Sequence, residues 1–68
     1  MRARLALAIP ASSFEEAIVV AERLLDDRET PELRFGPPEV MTDPKLRAAC
    51  AKWLGTTDFY GFVATAHA

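Results

Sequence analysis

Apolar side chains alternate along the start of the chain, with Met1, Leu5, Leu7 and Ile9 on one side and Arg2 and Arg4 on the other. This two-residue period predicts a half-buried strand over residues 1–9. Pro10 stops the ladder. Ser12-Ser13-Phe14-Glu15-Glu16 then offers two overlapping capping boxes, Ser12 with Glu15 or Ser13 with Glu16, so a helix is predicted to begin there. At about 100° per residue, Phe14, Ala17, Ile18, Val20, Ala21, Leu24 and Leu25 gather on an arc of roughly 160° that should face a core. Glu15, Glu22, Arg23 and Asp26 take the other side, with Val19 among them as either an ordinary exposed valine or the edge of a contact. Asp26 and Asp27 oppose the helix dipole, which places the predicted helix end at or just before them.

Between residues 28 and 41 the pattern weakens. Thr30-Pro31 and Gly36-Pro37-Pro38 are breakers, and only two short extended pieces remain, Glu32 to Phe35 and Glu39 to Met41, readable as a hairpin or as a loop. Asp43-Pro44 predicts a second helix start and Gly55 its stop. On that helix Leu46, Ala49, Cys50, Trp53 and Leu54 share a face, flanked by Lys45, Arg47 and Lys52. The final run, Asp58 to Ala68, is aromatic, β-branched and small, with few charges. It predicts a strand buried on both faces. The fold class is therefore α+β, a small two-layer sandwich of order β-α-(β-hairpin or loop)-α-β. If the hairpin forms, the order becomes that of a minimal ferredoxin-like βαββαβ unit.

Composition narrows the function classes. A chain of 68 residues, half of them hydrophobic and 26% charged, has the balance of one folded domain, residues 1–68. A net charge of −2 gives no global attraction to nucleic acid or anionic membranes. Six of the eight basic residues are Arg, and alanine is abundant, a bias common in GC-rich bacteria and their phages. No apolar run approaches the ~20 residues of a membrane span, since even Phe59 to Ala66 is broken by Gly61 and Thr65. The opening residues superficially resemble a signal peptide, but Pro10 cuts the apolar run short. A cytoplasmic location is the expectation. The single cysteine excludes an intrachain disulfide and a cysteine-based zinc site.

Candidate chemistry is sparse. Cys50, in phase with Leu46 and Trp53, reads as a buried small hydrophobe rather than a nucleophile. His67, the one histidine, has no Cys or His partner at ligand spacing. Trp53 and Tyr60 could stack on a base or line a pocket, yet large aromatics in so short a chain are expected in its core. Gly55 and Gly61 form no phosphate-binding loop. Asp26-Asp27-Arg28-Glu29, with Glu32 nearby, lacks the ligand alternation and central glycine of a calcium loop and reads as a solvated helix end. No catalytic, cofactor-binding or metal-binding residue is assigned, and neither enzyme activity nor a cofactor is expected.

Two functional readings follow. A domain of this size, with no disulfide or metal to supplement its core, often gains stability by self-association. Ala6 and Ala8 occupy the outer side of the first strand, where polar residues belong, and would suit a partner or a second layer. The leading expectation is accordingly a non-catalytic homo-oligomeric interaction module, a homodimer with the first strand in its interface and a protein partner not identified by the sequence. The alternative is a small dimeric nucleic-acid-binding protein. Arg2-Ala3-Arg4-Leu5-Ala6-Leu7, leading through Pro10 into an amphipathic helix, is similar to the opening of ribbon-helix-helix repressors, whose paired strands enter the major groove. That resemblance covers about the first 25 residues and implies a nucleic-acid contact by Arg2 and Arg4. The chain departs from the family in its long proline-rich connection, its third apolar segment and its mostly alanine base-reading face.

Overall fold

The computed structural model describes residues 2–67, so the expectations that fall on Met1 and Ala68 lie outside the described residues. The element order is β1 (Arg2–Ile9), α1 (Phe14–Arg28), β2 (Arg34–Phe35), β3 (Glu39–Val40), α2 (Pro44–Leu54) and β4 (Tyr60–His67). The fold class is α+β, as the sequence predicts.

β4 is the centre of the sheet. It pairs antiparallel with β1 along its whole length, Arg2 opposite His67 through Ile9 opposite Tyr60. On its other side it pairs with both short strands, Arg34 opposite His67 and Phe35 opposite Ala66 in β2, then Glu39 opposite Val63 and Val40 opposite Phe62 in β3. Neither a hairpin nor a loop describes residues 34–40: β2 and β3 are successive parts of one edge strand. Between them Gly36, Pro37 and Pro38 span the interval that Thr65 and Ala64 span on β4, the extra residue of a bulge. Gly36 N–H still donates to Thr65 O (2.9 Å), and Met41 N–H donates to Gly61 O (2.9 Å), so the ladder resumes beyond the prolines.

α1 covers one face of this sheet. Ser13 caps it, its Oγ accepting from Glu16 N–H at 3.1 Å, while the Glu16 carboxylate accepts from Ser12 Oγ. Ala17, Ala21 and Leu25 pack with Leu7, Ile9, Phe62 and Ala64, and Leu5, Ile18, Val20, Phe35 and Tyr60 close around them. Small alanines at the helix centre let it lie close to the sheet. Phe14 leans over the edge of this layer, its ring centroid 5.7 Å from Phe62 and 6.1 Å from Tyr60. The helix runs to Arg28, past the predicted end at Asp26. Arg28 supplies the cation its last turn favours, and the Glu29 carboxylate accepts from Phe35 N–H at 2.9 Å, tying the helix end to β2.

α2 begins and ends as predicted, with Asp43 Oδ1 accepting from Lys45 N–H (2.9 Å), Pro44 in the first turn and Gly55 closing the helix at φ 78°. Its orientation differs from expectation. No α2 residue is buried; Leu46, Arg47, Cys50, Ala51 and Leu54 are half-buried, while Ala49 and Trp53 face solvent. The inward arc is turned by about 60° from the one its apolar residues define. Arg47 is the cause. Its guanidinium lies 4.2 Å from the centroid of the buried Phe59 ring, and Nη2 donates to Phe59 O (2.9 Å) and, at 3.4 Å, to Thr57 O. Holding these groups swings Trp53 outward to 86% exposure, which overturns its expected place in the core. Cys50 is half-buried rather than buried.

Candidate interaction surface

The alternation of β1 and β4 sends Leu5, Leu7, Ile9, Phe62 and Ala64 toward α1. Arg4, Ala6, Ala8, Gly61, Val63, Thr65 and His67 therefore face the other way. Met41 folds over Gly61, where an added Cβ would lie 3.0 Å from Met41 Sδ and 3.1 Å from Met41 Cβ, so the glycine makes room for this close crossing. The rest of the face is partly covered: Arg4, Ala6 and His67 are exposed, and Ala8, Val63 and Thr65 are half-buried. The alanines singled out in the sequence thus stand together with Val63 on a partly exposed sheet surface.

At the margin of that face a groove is lined by Arg4, Glu39, Val40, Thr42, Asp43, Leu46 and Val63. Arg4, the arginine of the nucleic-acid reading, shares it with Glu39 and Asp43, so one basic and two acidic residues line the same groove. Arg2 is placed by its backbone, opposite His67. His67 borders a second groove with Gly36, Pro37, Glu39 and Thr65, which does not include Cys50. A third groove, between the end of α1 and the bulge, carries Glu22, Asp26 and Glu29 around Leu25, Phe35 and the prolines. Among the described residues, no group of three or more His, Cys, Asp and Glu side chains converges as a metal site. No described helix is long and apolar enough to cross a membrane.

The helices differ in charge. α1 carries Glu15, Glu16, Glu22, Asp26 and Asp27 against Arg23 and Arg28, whereas α2 carries Lys45, Arg47 and Lys52 and no carboxylate. Tyr60 is half-buried against the core with Phe14 at its edge, which leaves it a packing role. The exposed indole of Trp53 is a surface feature that sequence reasoning missed, and Phe14 and Leu24, expected on the core-facing arc of α1, are exposed as well. For Trp53 the signal was Arg47, whose long stem and planar head can replace an indole on a half-buried helix face.

Compared with known proteins, the chain matches no family model, no curated protein and no solved structure.

Proposed function

We propose that the protein is a non-catalytic, homo-oligomeric interaction module that uses β1 and the adjoining partly exposed face of the sheet. The observation that carries this reading is the unequal cover of the sheet: α1 packs on one face, while Ala6, Ala8, Val63 and Thr65 on the other lie exposed or half-buried. Small apolar residues on a partly exposed face gain free energy when a partner removes them from water, at about 25 cal/mol per Å² of apolar surface. The core gives a second reason, since its largest fully buried side chain is Phe62 and α2 adds no buried residue. A small core of this kind leaves stability to be gained by association.

Light scattering coupled to size exclusion, run across a concentration series, tests the reading. The expected mass is a multiple of the monomer's at micromolar protein. A monomer persisting to millimolar concentration overturns it.

A further inference from the structure

Resting on that self-association, we infer that two copies join edge to edge through β1, making one continuous antiparallel sheet rather than stacking face on face. The two sheet edges differ in kind. The β2/β3 edge is interrupted by the bulge and by Pro37 and Pro38, which have no N–H, the devices that block pairing with another chain. β1 forms the opposite edge with eight consecutive strand residues, none of them proline.

The hydrogen-bond phase of the sheet shows which groups β1 leaves free. Thr65 O and Gly61 O accept from the β2/β3 side. In an antiparallel strand the N–H and C=O of one residue point the same way and alternate along the chain. Odd-numbered β4 residues therefore serve β2/β3, and even-numbered ones serve β1. Their partners in the ladder, Ala3, Leu5, Leu7 and Ile9, bond inward. Arg2, Arg4, Ala6 and Ala8 are left with backbone groups directed at the free edge. Ala3, Arg4 and Ala6 are all exposed, so this part of the edge is accessible.

Charge and geometry select the register. A two-fold axis perpendicular to the sheet pairs residues of like face and keeps both α1 helices on one side. Placing Arg4 opposite Arg4 of the second copy sets like charges together. Placing Ala6 opposite Ala6 puts Pro10, without an N–H, across from Arg2. Placing Leu5 opposite Leu5 avoids both: Arg4 then faces Ala6, Arg2 faces Ala8, and every free-edge residue of β1 has a bonding partner. It also brings Leu7 of one copy beside exposed Ala3 of the other, extending the apolar layer where α1's cover ends.

Two variants test this against the alternatives. Ala6→Pro removes an edge N–H and leaves the β1–β4 ladder intact, so the variant should keep its circular dichroism while its dimer dissociation constant rises at least about tenfold. Leu5→Cys, in a Cys50→Ser background, places two thiols at a non-hydrogen-bonded pair with Cα atoms about 4.5 Å apart, within disulfide reach. It should cross-link in a glutathione redox buffer, and Val63→Cys in the same background should not. Should Ala6→Pro fail to fold, the cross-links decide. A folded Ala6→Pro variant that dimerises as tightly as the wild type, or a cross-link at Val63 and none at Leu5, overturns edge pairing while leaving self-association standing. A monomeric wild type overturns both.

Discussion

Phe62 and Trp53 show how far burial departs from residue type. Phe62 is fully buried at the centre of the α1–sheet layer and Trp53 is 86% exposed, although the indole is the larger group. Phe62→Ala should cost about 3–5 kcal/mol, the range for truncating a core aromatic. Trp53→Ala should change stability by no more than about 0.5 kcal/mol in the monomer. Urea unfolding of both variants checks the contrast, and a large loss at Trp53 would restore the indole to a core. The sequence could not separate these cases, because helical phase locates an apolar stripe only when no long amphipathic side chain competes for the inward position. Arg47 competes here and takes it. Gly61 is a second residue whose role lies in a contact rather than a pattern. Gly61→Ala should destabilise by about 1–3 kcal/mol. Trimming Met41 to alanine should not rescue it, because the Met41 Cβ, 3.1 Å from the new methyl, remains. Full rescue by Met41→Ala would place the conflict in the flexible thioether alone.

At the scale of elements, legibility followed the strength of local signals. β1, α1, α2 and β4 were all readable, because alternation, a serine cap, Asp43-Pro44 and Gly55 each act through near neighbours. Residues 34–40 were not. Gly36-Pro37-Pro38 has the composition of a turn, and whether such a tripeptide reverses the chain or bulges an edge strand is decided by β4, far along the sequence. The candidate surface was half readable for the same reason. Ala6 and Ala8 stood out on a strand whose face was known, whereas Val63 and Thr65 joined them only through the register with β4. α2, held by Arg47 and its caps and without a buried residue, should open locally before the rest of the fold. Hydrogen exchange should show α2 amides exchanging well ahead of those of β4 and of α1 around Ala17 to Leu25. Arg47→Met, which keeps the stem but loses the bonds to Thr57 O and Phe59 O, should widen that gap by about 1–2 kcal/mol. Equal protection in the two helices would mean that α2 is anchored by more than Arg47.

For the whole molecule, stability and association are one question. The layer between α1 and the sheet sets Leu7, Ile9, Leu25 and Phe62 among the alanines Ala17, Ala21 and Ala64, whose burial removes little apolar surface per residue. The far face is only partly covered, and α2 contributes no buried residue. If native copies associate and unfolded ones do not, mass action ties the melting midpoint to protein concentration. For a dimer, a tenfold rise in concentration contributes about 1.4 kcal/mol shared between two chains, which should raise the midpoint by roughly 3–5 °C in domains of this size. Thermal unfolding followed by far-ultraviolet circular dichroism between micromolar and high micromolar protein reads this directly. The Ala6→Pro variant supplies the control, since a chain that folds but dimerises more weakly should melt at a lower midpoint than the wild type at the same concentration. A wild-type midpoint independent of concentration, in protein that remains folded when dilute, would show that the α1–sheet layer is sufficient alone and that Ala6 and Ala8 face solvent without a structural partner.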